Sequence, residues 1–489
     1  MSTIDEIKKT RLEKLRNLEK AGLVYPGKTK RTHTVAEALQ NFAKLKKLGK
    51  EIILVGRIRS LRSHGKATFI HFEDGSGKIQ AFFREDHIGK RGYSFFIDNF
   101  DIGDFIELRG SLFKTKRGEK TIETTDFKIL AKSLSPLPEK WHGLTDTEER
   151  YRKRYLDLIF NKEAKHNFVV RAKVISEIRN FLESEGFLEV ETPILQPIYG
   201  GARAKPFRTH LNALDMDIFL RISPELYLKR LLIGGFEKVF ELGKCFRNEG
   251  MDKFHNPDFT ILEFYWAFAD YKDLMKITER MFFHILKKTF GKTVISYQGN
   301  KLSFKAPWPR IDFNTFFRKE TKLDYDLLSE QGLLEEAKKL GVEVDKGASK
   351  TAIVDEVFKK FCRPKIIQPS FVINYPLGFQ TLAKSVDDRS EKLANFQLIA
   401  GGTELVNAFS ELNDPLEQKK RFEEQERLSA RGFEEAHKKD DDFVEALEYG
   451  MPLAAGFGMG IDRLVLLLTD SSSLREIILF PIMRPKDKS

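Results

Sequence analysis

From Glu51 to about Leu134 the apolar residues recur at every second position, which sets this stretch apart from the basic, helix-spaced residues 1–50 before it. A sustained period of two demands strands with one buried face. Five runs carry it: Ile52–Ser60, Ala67–Glu73, Lys78–Arg84, Phe105–Phe113 and Thr121–Leu130. Asp74-Gly75-Ser76-Gly77 is the turn between the second and third, and Glu85–Phe96 reads as helical or irregular. Five short strands with one interruption predict a small Greek-key barrel.

Residues 1–50 place Ile4, Ile7, Leu12, Leu15 and Leu18 near helical spacing, and Gly22 ends that run. Thr34 with Glu37 is a capping-box pair for a second helix through Leu48. These helices are expected to pack on the barrel with a basic face in solvent; the alternative is that the basic face touches a nucleic-acid backbone. A chain of 489 residues needs more than one domain. Ser135-Pro136-Leu137-Pro138 opens a linker drawn over 135–160, and 161–489 reads as one α+β domain. Its strands come in hairpins without repeated βαβ units, so its main sheet is expected to be antiparallel. Residues 320–360 look like a helical insertion, and the charged run Glu434–Asp442 like a solvated helix or loop.

No apolar run approaches the roughly 18–20 residues of a membrane span, and Met1–Lys20 has no apolar core of a secretory signal. The two cysteines, Cys245 and Cys362, fit a reducing, cytoplasmic setting. Lysine and arginine number 83 against 72 acids, a charge of +11, which points to a polyanionic partner. A dinucleotide reading of Gly456-Phe457-Gly458-Met459-Gly460 fails, because the sixth position is Ile461 and no βαβ context surrounds it. The pattern GxxxxGK[ST] is absent, and His87-Ile88-Gly89-Lys90 stands inside the barrel without a companion motif.

In the barrel, Ile70 and Phe72 share one strand face while Phe69 and His71 share the other. With Gln80 on the next strand and Arg57, Arg59 and Arg62 nearby, that polar face suits unpaired bases. The alternative is that Phe69 fills the barrel.

The hairpin Glu237–Trp266 is the most informative segment. Two alternating strands flank an irregular loop, Asn248 to Asp258. Phe259, Ile261, Glu263 and Tyr265 share one face, and a carboxylate among apolar neighbours is costly unless it meets a cation. Phe259 and Glu263 lie about 13 Å apart at strand rise. An adenine on Phe259 and a cationic group at Glu263 would leave Arg247 to grip a phosphate between them. The alternative is a plain buried ion pair of Arg247 with Glu249 or Glu241. Glu225 and Glu411 sit in similar settings, with Asn407 and Phe409 on the strand face of Glu411. Convergence with Glu263 would make a pocket for ammonium groups; scattered glutamates are the alternative. Pairing about Gly401-Gly402 sets Ile399 opposite Glu404, Leu398 opposite Leu405 and Gln397 opposite Val406. Glu404 and Gln397 could then offer two oxygens toward Mg²⁺; the alternative is a purely structural hairpin. Arg463, where the glycine-rich strand end passes into a helix, could bind a phosphate or stack on a base; taken alone, a plain surface arginine is the better reading.

These segments together resemble the class II lysyl-tRNA synthetases of bacterial type over almost the whole chain. Phe246-Arg247-Asn248-Glu249-Gly250 with His255-Asn256-Pro257-Asp258-Phe259 resembles motif 2 of that class, and Gly458-Met459-Gly460-Ile461-Asp462-Arg463 resembles motif 3. A helix ending at Glu189-Val190-Glu191-Thr192-Pro193 resembles motif 1, which in the family forms a homodimer. Ser223-Pro224-Glu225-Leu226-Tyr227 and Asn407 to Asn413 narrow the likeness to lysine.

The resemblance implies an antiparallel-sheet catalytic core behind an OB-fold barrel that reads the anticodon of tRNA-Lys. It implies ATP contacts at Arg247, Glu249, His255, Asn256, Phe259, Glu404 and Arg463, with Arg247 and Arg463 catalytic. It implies lysine contacts at Gly201, Glu225, Glu263, Tyr265, Asn407, Phe409 and Glu411, and anticodon contacts at Arg62, Phe69, Gln80 and Glu119. Mg²⁺ is implied at Glu404 and Gln397. Where the family commonly has a second metal-binding glutamate this chain has Gln397, and Phe254 stands where some relatives carry arginine. Competing readings are a protein-lysylating paralogue, an aspartate- or asparagine-specific synthetase, and a non-catalytic single-strand-binding protein.

Overall fold

The computed structural model describes all residues except 1–2, 23–24, 139–145, 345–347, 388–390, 431–438 and 487–489, and of 428–430 it describes the backbone. Most of the charged run beginning at Glu434 therefore lies outside the described residues. The chain divides into two compact units, Met1–Thr145 and Asp146–Ser489.

In the first unit, strands β1 (Ile52–His64), β2 (Ala67–Glu73), β3 (Lys78–Arg84), β4 (Phe105–Lys114) and β5 (Lys120–Ala131) close a barrel in the order β1-β2-β3-β5-β4. The alternation does what the period of two requires. Ile70, Phe72, Ile79, Ala81 and Phe83 fill the interior, and Phe69, His71, Gln80 and Phe82 lie on the other face. The helical stretch Glu85–Asn99 interrupts the strands after β3 and buries Tyr93 and Phe96. The first helix, Ile4–Lys20, is pinned by Arg11, which donates to the carbonyls of Ser133 (2.7 Å), Ser135 (3.1 Å) and Ile102 (3.2 Å). Thr34 and Glu37 form the capping box, and the helix behind it breaks at Asn41 into Val35–Gln40 and Phe42–Leu48.

The second unit is built on an eight-stranded sheet. Its order is Arg310–Asp312, Ser370–Ile373, Asn395–Ala400, Thr403–Ser410, Ala454–Gly460, Asp258–Ala267, Lys238–Phe246 and Leu188–Glu189. All inner pairs are antiparallel, and only the outermost pair at each edge is parallel. Helices Lys162–Ser184, Tyr271–Phe290 and Ile461–Leu468 share one core with the sheet residues Phe240, Leu262, Phe264, Ala408, Phe457 and Met459. The opposite parity, carrying Glu263, Tyr265, Asn407 and Phe409, is thereby left for the other face. Short helices over 313–321, 330–339 and 350–357 form a second apolar cluster beside it. Among the described residues no helix is long and apolar enough to cross a membrane.

Three expectations are corrected. The linker does not extend to residue 160: Thr147–Arg152 and Arg154–Phe160 are helices of the second unit. There Arg154 is fully buried on Asp157 (2.6 Å) and the Leu479 carbonyl (2.9 Å). Glu189 to Pro193 does not end a helix. The helix stops at Ser184, and Leu188–Glu189 is an edge strand parallel to Lys238–Phe246. At the Gly401-Gly402 turn, where both glycines have positive φ, Ile399 does face Glu404. A bulge then shifts the register, so Leu398 faces Val406 and Gln397 faces Asn407.

Candidate active site

Two rows of residues cross the open face of the sheet. In one, Glu263 pairs with Gly458 and Gly458 with Asn407; in the next, Tyr265 pairs with Gly456 and Gly456 with Phe409. The glycines are what make a cavity here. A Cβ at Gly456 would stand 2.0 Å from Glu411 Oε1 and 2.5 Å from the Tyr265 ring. A Cβ at Gly458 would meet nothing nearer than the Asn407 carbonyl at 3.6 Å. The first glycine lets Glu411 and Tyr265 approach; the second leaves the floor between Glu263 and Asn407 empty.

The three carboxylates proposed from sequence converge around this floor. Glu263 accepts from Ser223 Oγ (2.7 Å) and Tyr265 Oη (3.0 Å). Burial, then the nearby Glu225, pushes its carboxyl up to about 8. Burial likewise raises Glu225 and Glu411, and lifts the Tyr265 hydroxyl far above its ordinary value. Gly201, at φ +83°, closes one side; a Cβ there would meet Glu225 Cβ at 2.8 Å and Ser223 Oγ at 2.9 Å. Both carboxylate oxygens of Glu411 and Asn407 Oδ1 are buried with no hydrogen-bond partner among the described residues, although Glu411 Oε2 is ion-paired with Lys229 (2.5 Å). A buried carboxylate oxygen and a buried amide oxygen left unpaired are acceptors shaped for a donor from outside the chain.

The neighbouring region carries the cations. Arg247 lies over the Phe259 ring (5.0 Å), and its buried Nε has no hydrogen-bond partner among the described residues. The ion pair weighed for it is not formed: Glu241 is engaged by buried Arg221, and Glu249 instead accepts from the Lys205 backbone N–H (3.4 Å). Arg463 contacts His255 Nε2 (3.1 Å), whose other ring nitrogen is 2.9 Å from Asp252. Burial lowers Arg463, Glu404 and then Asp252 raise it, and Arg363 and Arg247 lower it, so three guanidiniums share two carboxylates. Asn256 is turned inward onto the Asp258 carbonyl (2.7 Å) and holds the loop. Phe254 is exposed.

The metal pair is weaker than its sequence suggests. Gln397 Oε1 already accepts from Tyr375 Oη (2.7 Å), and Glu404 faces Arg363 at 3.7 Å. Among the described residues no group of three or more His, Cys, Asp or Glu could hold a metal ion. One carboxylate and one amide oxygen fit Mg²⁺ that arrives on a nucleotide's phosphates, since that ion binds through one or two carboxylates and keeps waters.

On the barrel, Phe69 lies outside the interior, stacked on Phe82 with ring centroids 4.3 Å apart. Glu119 accepts from Gln80 Nε2 (2.8 Å) and sits 2.8 Å from His71 Nε2; Gln80 Oε1 accepts from Thr121. His71, Lys78, Gln80, Glu119 and Lys120 line a cavity of about 280 Å³. Arg62 is exposed directly across from Phe69.

Sequence reasoning missed Phe82, Ser223, Lys229 and Asp462. Phe82 shares parity with Gln80 and was readable. Asp462 binds Arg171 (2.6 Å) and the Thr260 N–H (2.9 Å), which fixes the helix carrying Arg463; no local pattern announces a contact over that separation.

Residues 146–484 match the family model for class II tRNA synthetases (D, K and N), and residues 52–130 match the model for an OB-fold nucleic acid binding domain. A lysine–tRNA ligase of Carboxydothermus hydrogenoformans is 50% identical, covering 99% of each chain. One from Pelotomaculum thermopropionicum is 49% identical over 99% of this chain and 96% of its own, and one from Moorella thermoacetica is 48% identical over 99% of each.

Proposed function

Because the chain belongs to the class II lysine–tRNA ligases, we propose that the acidic cavity over Gly456 and Gly458 holds L-lysine and that Arg247, Phe259 and Arg463 hold ATP. The enzyme activates lysine to lysyl-adenylate and transfers it to the 3′ end of tRNA. The observation that carries the site assignment is the meeting of Glu225, Glu263 and Glu411 around one floor beside the arginines.

In the first step a lysine carboxylate oxygen attacks the α-phosphorus in line, and the bond to the bridging oxygen of pyrophosphate breaks. In the second a terminal ribose hydroxyl attacks the adenylate carbonyl and AMP leaves. No side-chain nucleophile is required. Glu263, Tyr265 and Glu411 bind the substrate's ammonium groups, with Asn407, Phe409 and the Gly201 backbone completing the cavity. Phe259 and Arg463 sandwich the adenine. Arg247 neutralises the α-phosphate, and Glu249 and His255 line the nucleotide's path. Asn256 acts by holding the loop. Mg²⁺, held by Glu404 with Gln397 beside it, would neutralise charge on the departing phosphates. Pyrophosphate exchange measured across all twenty amino acids should respond to lysine alone; a response to aspartate or asparagine instead would overturn the substrate assignment.

The barrel face is proposed to bind the anticodon of tRNA-Lys through Phe69, Gln80, Glu119 and Arg62. Phe69→Ala should reduce tRNA charging at limiting tRNA by about 5–150-fold, the value of one stacked base at ~1–3 kcal/mol, while pyrophosphate exchange stays unchanged. Equal loss of both activities would count against stacking there. The barrel also speaks against the protein-lysylating paralogue, which lacks it. A homodimer through the segment around Glu189–Pro193 is proposed because Val169, Leu188, Ile194 and Leu195 are exposed apolar residues beside it. A cytoplasmic site of action accords with this reaction.

A further inference from the structure

Lys229 is a buried charged group at the lysine cavity to which the proposed reaction gives no role. It lies on the helix Glu225–Ile233, one turn beyond Glu225, and its side chain is wholly buried. Its ammonium stands 2.7 Å from Glu225 Oε1 and 2.5 Å from Glu411 Oε2, and lies near the rings of Phe409 (5.7 Å) and Phe443 (5.9 Å). Glu225 and Glu411 are the charged groups it meets; Glu263 and Tyr265 stand beyond them across the floor. A buried lysine would lose its proton were it alone. Burial lowers its affinity for the proton, but Glu225 and Glu411 outweigh this and raise it.

We propose that Lys229 is a specificity-determining positioning residue: a resident ammonium that sets the charge of the cavity and aims its carboxylates at a doubly cationic amino acid. With substrate bound and all three carboxyls ionised they carry −3; with Lys229 the cavity then carries −2, which balances the two ammonium groups of lysine. The same bridge engages Glu411 Oε2 as an ion pair, while Oε1, which has no hydrogen-bond partner among the described residues, stays on the cavity side against Gly456 and Tyr265. Without the bridge, like charges from two separate elements would face each other in a buried place. Burial already raises both carboxyls and Lys229 is the group that opposes that rise, so without it they would hold their protons to still higher pH instead of pairing with substrate.

The inference rests on reading this cavity as the lysine site, and the test separates the two. Wild-type exchange that does not depend on lysine would defeat the cavity reading itself. Granted lysine-dependent exchange, Lys229→Met should raise KM for lysine by about 10–100-fold, leave KM for ATP within twofold, and move the acid limb of kcat/KM for lysine up by about one pH unit or more. An opposite charge at this range shifts a carboxyl by ~1–3 units. Lys229→Arg keeps the charge and should hold the acid limb near the wild-type position even where its kcat falls. A Lys229→Met enzyme with the wild-type KM and acid limb would overturn the proposal, as would an acid limb displaced as far in Lys229→Arg as in the neutral variant. Should Lys229→Met fail to fold, Lys229→Gln replaces it with the same expected shift.

Discussion

Arg247→Ala is expected to lower lysine-dependent ATP–pyrophosphate exchange by at least a hundredfold, with lysine binding changed little. The expectation follows from what surrounds this guanidinium. It leans on Phe259 at 5.0 Å, and its buried Nε meets no acceptor among the described residues. The carboxylate that would have made it structural, Glu241, is engaged by Arg221. A buried donor without a partner is costly, so an external acceptor is the economical explanation, and an α-phosphate beside a base stacked on Phe259 supplies one. Stabilising charge that develops on that phosphate is worth about 2.7–4 kcal/mol by analogy with a single oxyanion donor, roughly 10²–10³-fold. Single-turnover adenylate formation and calorimetric lysine titration separate the two effects. Near-normal exchange would refute the assignment; loss of lysine affinity on the same scale would make Arg247 a scaffold residue.

The barrel and the face assignments were legible because they rest on alternation, which local sequence records directly: Ile70 and Phe72 inside, Phe69 and His71 outside. The hairpin around Arg247 was legible for the same reason. What was not legible depends on partners far apart in the chain. The bulge at Leu405 slid Gln397 from Val406 to Asn407, because one extra residue in a strand leaves no mark on a pattern read by counting from the turn. Arg154 on the Leu479 carbonyl turned a supposed linker into part of the catalytic unit. Lys229 lies between the two. Its spacing from Glu225 marks a helical ion pair, yet only the fold brings Glu411 to its other side and makes the pair part of a binding site.

Glu263 gives the last large effect. It is buried beneath two hydroxyls and, before substrate arrives, its carboxyl is raised to about 8 by burial and by Glu225. Binding an ammonium requires the ionised form. Lysine affinity should therefore rise with pH up to about 8, until the substrate's own ammonium groups begin to deprotonate, and binding near pH 7 should release protons. Stability runs the other way. A carboxyl whose folded value exceeds its unfolded value of ~4.3 favours folding fully below the latter, and that contribution is lost as pH rises toward 8. The ligand-free protein should thus lose thermal stability across that window, and saturating lysine should restore it. Glu263→Gln keeps the shape and removes the charge. It should flatten both profiles and raise KM for lysine by on the order of 10²-fold, since removing one partner of a buried charge pair costs about 2–5 kcal/mol. Calorimetry in buffers of different ionisation enthalpy counts the protons, and thermal scans from pH 5 to 8.5 follow the stability. A glutamine variant that still binds lysine tightly, with the wild-type pH slope, would move the ammonium away from Glu263 and leave the glycine floor without its purpose.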